Sequence, residues 1–161
     1  TTGPYPLSYN GWGDVLVIIF FGFVPVGGTY YVQALTWTPD VTIASIICGL
    51  LIDTLLVVNN YRDREADARS GKRTVIVRFG EKFGRYFYLL LGISASLLCL
   101  YFLREGHIYA ALLPQLYLVP HVLTWRRMVK IHSGKKLNSI LGETSRNMLF
   151  MGILLAIGMI L

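Results

Sequence analysis

Cysteine is almost missing from this sequence, which holds two in 161 residues, Cys48 and Cys99. Both fall inside apolar runs, with no CxxC and no His/Cys cluster near them, which excludes a disulfide framework and a cysteine-built metal centre. In such runs a thiol serves as a small hydrophobe. Charge is scarce too: 15% of residues against 54% hydrophobic is too little for an ordinary soluble domain. Acids are the rarer sign, nine against fifteen Lys and Arg. No Ser/Gly/Pro-rich linker, internal repeat or low-complexity tract divides the chain, so residues 1–161 read as a single domain. An opening Met and a signal-peptide pattern are also absent, and the sequence stops within an apolar run at Leu161, so a longer protein is expected.

What the chain has in quantity is long apolar stretches. A helix needs roughly 20 mostly apolar residues to cross the hydrocarbon core. Five runs qualify: Val15 to Gln33, Val41 to Asn59, Tyr86 to Leu103, Ile108 to Trp125, and Leu141 to Leu161. The expected fold is all-α, a polytopic transmembrane bundle of five spans. Lys and Arg concentrate between Arg62 and Arg85 and between Arg126 and Lys136, so those loops face the cytoplasm, as does the amino terminus. The net charge of +6 then reflects topology and contact with anionic headgroups, and nucleic acid need not be invoked. Trp12, Tyr30, Tyr31, Trp37, Tyr86, Tyr88 and Trp125 lie near span ends, where interfacial aromatic belts form.

One stretch breaks the apolar pattern. "VVNNYRDREADARSGKRT", Val57 to Thr74, crowds carboxylates, cations and two adjacent amides at the end of the second span. If the helix continues past the headgroups, each residue turns about 100°. Asp53, Asn60, Asp63 and Asp67 then share roughly one quadrant, while Glu65 points away. Carboxylates at i and i+4 repel, and something must offset that. Mg²⁺ would, because this hard ion takes one or two carboxylates plus the phosphate oxygens of a substrate. Arg69, Lys72, Arg73 and Arg78 supply the cations that phosphate recognition also wants, and Gly71 lets the chain turn. The competing reading is a solvated loop in which Asp63 and Asp67 pair with Arg62, Arg64 or Arg69. Against it stands Asp53, two turns inside the apolar run, where an ionisable residue is expensive and faces a cavity or a partner. A structural Asp53, hydrogen-bonded to a neighbouring helix, explains that position equally well.

The pattern Asn59-Asn60-x-Arg62-Asp63-x-x-x-Asp67-x-x-x-Gly71-Lys72-Arg73-Thr74 resembles the second aspartate-rich motif of the intramembrane aromatic prenyltransferases, the UbiA superfamily. The opening "GPYPLSYNGWGD" looks like the loop before the fifth span in the menaquinone branch, the 1,4-dihydroxy-2-naphthoate polyprenyltransferases. The resemblance implies the second half of a nine-helix fold. It also implies a Mg²⁺-dependent enzyme of the bacterial plasma membrane, with its active site toward the cytoplasm. Its substrates would be a polyprenyl diphosphate and an aromatic acceptor, 1,4-dihydroxy-2-naphthoate, which loses carbon dioxide in menaquinone biosynthesis. Asp63 and Asp67 would be the catalytic metal ligands, with Asn60 assisting. Asn59, Asn60, Lys72 and Arg73 would meet the substrate. The family's first motif, NDxxDxxxD, has no counterpart in the sequence, so an amino-terminal half on the same or another chain is implied. Two alternatives are a 4-hydroxybenzoate-type prenyltransferase and a non-enzymatic bundle with Asp53 to Asp67 lining an ion path.

Other positions carry weaker signals. Gly22, Pro25, Gly27 and Gly28 suit a kinked, closely packed first span, or a groove for a polyprenyl chain. Tyr5, Tyr9 and Asp14 lie at the cytoplasmic mouth and could cover an acceptor, although a plain Gly/Pro turn explains the loop as well. His121, within the fourth span, reads as a satisfied interhelical hydrogen-bonding group.

Overall fold

The computed structural model describes residues 6–161. Tyr5 therefore lies outside the described residues. After a short helical turn, Leu7–Asn10, five helical rods follow. They are α1 (Gly13–Ala34), α2 (Pro39–Arg69), α3 (Val75–Leu103), α4 (residues 108–131) and α5 (Lys135–Ile160). Four of these, α1, α2, α3 and α5, are long and apolar enough to cross a membrane. The fourth predicted span, Ile108 to Trp125, is helical but segmented. Ile108–Leu112 gives way to a tighter turn, Leu113–Tyr117, and then to Leu118–Ile131. Pro114 opens that turn, where its missing N–H and fixed φ suit a restart.

α2 is the central post. Thr38 caps its start by accepting from the Val41 amide at 3.4 Å, and Pro39 fills the first helical position. At about 1.5 Å per residue the helix is about 46 Å long, against roughly 30 Å of hydrocarbon. About ten residues therefore project beyond the apolar layer, which matches the polar stretch from Asn60 to Arg69. Gly71, at φ 76°, ends the rod, and Lys72 N–H closes back on Asp67 O at 2.9 Å. Thr74 then caps α3, whose first turn is set off by Gly80 at φ 85°.

α1 and α3 each pack along α2, and α4 and α5 complete the bundle. In α1 the residues Ile18–Gly27 form wide helical turns around Pro25, which cannot donate to the ladder. Gly22 meets the Ser45 carbonyl and Gly27 meets the Trp37 ring, so close packing is what these glycines serve. Two buried clusters fill the bundle. One gathers Ile47, Leu51, Cys99, Phe102, Tyr117 and Met151. The other gathers Val57, Val58, Tyr61, Ile76, Tyr88 and Ile140.

Tyr88 corrects the aromatic-belt expectation. It is wholly buried, its hydroxyl 3.1 Å from Thr144 Oγ1 and its ring stacked on His121. The hydroxyl finds a partner on α5, so nothing draws it to an interface. Trp12, Tyr30, Tyr31, Trp37 and Tyr86 are exposed, as a belt requires. Trp125 is half-buried and donates to Arg85 O at 2.9 Å. His121 is structural: its ring nitrogens lie 2.9 Å from Tyr117 Oη and 3.2 Å from Leu89 O. Both cysteines are free thiols.

Candidate active site

The helix does continue without a break to Arg69, carrying Asn60, Asp63 and Asp67 along it. Asn60 and Asp67 are buried, Asp63 is half-buried, and Glu65 is exposed. Each of the two aspartates holds a cation. Arg62 meets both oxygens of Asp63, from Nε at 2.7 Å and Nη2 at 2.6 Å. Lys72 Nζ lies 2.8 Å from Asp67 Oδ1. These are ion pairs of the kind the solvated-loop reading called for, with Lys72 as a partner it did not name. Lys72 also feels the charge of Asp63, and Arg62 that of Asp67, so the four groups form one electrostatic cluster. Its effect is legible at Lys72, whose ammonium is pushed above the ordinary lysine range, chiefly by the hydrogen bond to Asp67.

The donor set is two carboxylates and an amide oxygen on one face of one helix. Among the described residues no three of His, Cys, Asp and Glu gather into a complete metal cage. Such a partial set fits Mg²⁺, which binds through one or two carboxylates while phosphate and water fill its remaining positions. Arg62 and Lys72 carry cationic heads on long side chains, and phosphate is a ligand whose geometry Arg meets bidentately.

Below this cluster the bundle opens. A groove of about 590 Å³ is lined by Val17 and Phe21 of α1, by Ile52, Leu55, Leu56 and Asn59 of α2, and by Leu141, Gly142 and Ser145 of α5. Ile52 and Ser145 also line a second groove, of about 660 Å³, which runs on past Cys48, Met148 and Gly152. Val26, Ala44 and Leu155 carry the path into a third, of about 520 Å³, ending near Gln33, Thr38 and Asp40. Three adjoining, mainly apolar grooves that share lining residues thus make a trough along most of α2. Asn59 stands at the junction, lining the trough while its Oδ1 accepts from Arg62 Nη2 at 2.8 Å.

The loop before α1 is tied down over the cations. Arg73 N–H donates to Tyr9 O at 2.8 Å, Arg78 Nη2 to Asn10 O at 2.8 Å, and Lys72 Nζ lies 5.7 Å from the centre of the Tyr9 ring. Arg73 keeps an exposed side chain. Sequence reasoning missed two features here. Arg62 also donates to Asn138 Oδ1 at 2.9 Å, joining α2 to the start of α5 across 76 positions, for which no local pattern exists. Glu81 gathers Tyr61, Arg64, Arg85 and His132 into a second polar knot at the feet of α2, α3 and α4. Its one advance sign was Glu81 and Arg85 at i and i+4.

The model of the UbiA prenyltransferase family matches residues 2–160. The chain belongs to that family. Within the UbiA family it is 42% identical to the 1,4-dihydroxy-2-naphthoate octaprenyltransferase of Haemophilus influenzae over 99 residues, which is 62% of this chain and 32% of that protein. Against the enzyme of the same name from Escherichia coli it is 41% identical over 100 residues, again 62% of this chain and 32% of the relative. The UbiA prenyltransferase domain-containing protein 1 of Dictyostelium discoideum is 30% identical over 161 residues, all of this chain and 48% of that protein. The chain thus spans about a third to a half of the length of these UbiA relatives. No solved structure matches it.

Proposed function

We propose that this UbiA-family chain takes part in moving a polyprenyl group from a polyprenyl diphosphate to 1,4-dihydroxy-2-naphthoate, with loss of carbon dioxide, in menaquinone biosynthesis. The observation that carries this reading is the junction at Asn59, where a cluster of acids and cations meets a long apolar trough. A diphosphate head on an isoprenoid tail asks for both in one ligand. The names of the bacterial relatives support the acceptor. In this reading the protein crosses the bacterial plasma membrane five times, α4 included, with the charged end of α2 toward the cytoplasm. An amino-terminal half, on the same or another chain, completes a nine-helix enzyme and brings the first aspartate-rich motif.

Asp63 and Asp67, assisted by Asn60, would hold Mg²⁺. Bound there, the ion would supply positive charge against the departing diphosphate. Lys72 and Arg73 stabilise the charge developing on that diphosphate, and more strongly in the transition state than in the ground state. Lys72 must turn from Asp67 to do so, while Arg73 is already exposed. The trough keeps water from the allylic cation, so the ring carbon bearing the acceptor's carboxylate attacks it instead, and carbon dioxide leaves.

Prenylation of 1,4-dihydroxy-2-naphthoate by the full-length protein tests this. Asp63→Asn or Asp67→Asn is expected to abolish Mg²⁺-dependent transfer, and Glu65→Gln to leave it intact. Equal behaviour of all three would defeat the facial argument. Charge-assisted contacts are worth about 1.5–3 kcal/mol each before coupling, so Lys72→Ala with Arg73→Ala, which removes two, should cut donor use by roughly a hundredfold or more, at about 1.4 kcal/mol per decade. Donor dependence unchanged in that double variant would remove the diphosphate role.

A further inference from the structure

Asp53 takes no part in the site above, and its surroundings are unusual. It is wholly buried, and among the described residues neither carboxyl oxygen has a hydrogen-bond partner. Carboxyl groups in such a position are expensive unless paired or neutralised.

The packing of α1 on α2 explains what faces it. The two helices meet along a seam in steps of four residues. Gly22 lies against the Ser45 carbonyl, and a Cβ added to Gly49 would come within 2.9 Å of Ile18 Cα. Continued one step further along both helices, that register brings Asp14 to the level of Asp53. Asp14 is itself buried, in the first turn of α1. The other titratable groups on neighbouring helices are engaged elsewhere. Tyr88 bonds to Thr144, Glu143 to Thr124 and Arg127, and Arg78 to Asn10 O. Among the described residues no cation pairs with either carboxyl.

We infer that Asp14 and Asp53 form a proton-binding site, a carboxyl–carboxylate pair that holds one proton between α1 and α2. A hydrated metal ion needs a shell of oxygens and the room to hold them, and at the two neighbouring steps of the seam backbone meets backbone. A proton needs no room. It turns repulsion into an O–H···O⁻ hydrogen bond, among the stronger that side chains make. The unequal settings assign the two roles. Asp14 sits at the start of α1, where unpaired amides favour the anion. Asp53, mid-helix and without a donor, carries the proton. The pair fastens the root of α1 to α2, and α1 is what carries the Tyr9 loop over Lys72 and Arg73.

Infrared difference spectroscopy of the full-length protein in bilayers at neutral pH is the test. A protonated carboxyl gives a C=O stretch above the amide band that shifts in D₂O. Wild type should show that band, Glu65→Gln should keep it, and Asp53→Asn should lose it while staying folded, because the amide mimics the protonated acid. Thermal unfolding across pH supplies a second readout. A proton held by the folded pair, and not by the unfolded chain, makes the wild type lose stability as pH rises. Asp53→Asn should flatten that slope. A wild-type spectrum without the band, or a band that survives in Asp53→Asn, overturns the proposal. So does stabilisation by Na⁺ or Mg²⁺ that Asp53→Asn abolishes, since that would make the pair a metal site.

Discussion

The two sides of α5 are built to different standards. On one side Ile140, Thr144, Met151 and Gly158 are buried, Thr144 touching Tyr88 and Gly158 pressed against the Ala110 backbone. On the other, Gly142 and Gly152 face open space and line the trough with Ser145. The same helix thus spends glycine in two ways: Gly158 lets backbones touch, whereas Gly142 and Gly152 leave volume empty. A protein interior normally tolerates few voids, so space kept along several turns marks where something other than this chain's own side chains belongs.

That contrast can be broken from its tight side first. Gly158→Ala, and likewise Gly22→Ala in the α1–α2 seam, would drive a methyl into backbone that cannot turn aside. Each is expected to cost about 1–3 kcal/mol, read as a lower midpoint of thermal unfolding in detergent. If either variant unfolds like wild type, the backbone contact is looser than described. On the open side, Gly152→Leu should leave the fold intact and fill part of the trough. Donor use should then fall by roughly tenfold, about 1.4 kcal/mol, and more steeply for long donors than for short ones. Equal loss for both lengths would argue against a tail path. The smallest effect belongs to Gly142→Ala, which adds one methyl to empty space. It should stabilise α5 by up to about 1 kcal/mol, the helix-propensity gap between the two residues, with little change in donor use.

Much of this was legible beforehand, and the reasons differ by element. The rods follow from apolar run length, since crossing hydrocarbon leaves the backbone no other choice. The overlong α2 followed from Asp63 and Asp67, whose spacing puts both on one face only if the helix persists. Tyr88 was misread because distance from a span end says nothing about which side of the helix a residue occupies. Segmentation of α4 was likewise hidden, as Pro114 and Gln115 lower its hydropathy without marking where the turn tightens. The Arg62–Asn138 bond and the Asp14–Asp53 opposition depend on helices that meet far apart in sequence. Periodicity within one rod cannot supply the register between two.

Trp37 has a consequence for the order in which the bundle assembles. It sits in the short connection between α1 and α2, donates to Thr42 Oγ1 at 2.8 Å and stops Gly27 with its ring. Leu35, at φ 52°, completes the reversal. With so few residues to close, this hairpin loses little chain entropy on pairing. The approach of α5 to α2 must instead gather ends separated by most of the sequence. A newly made chain therefore zips α1 to α2 early, and the trough comes into being only with its last helix.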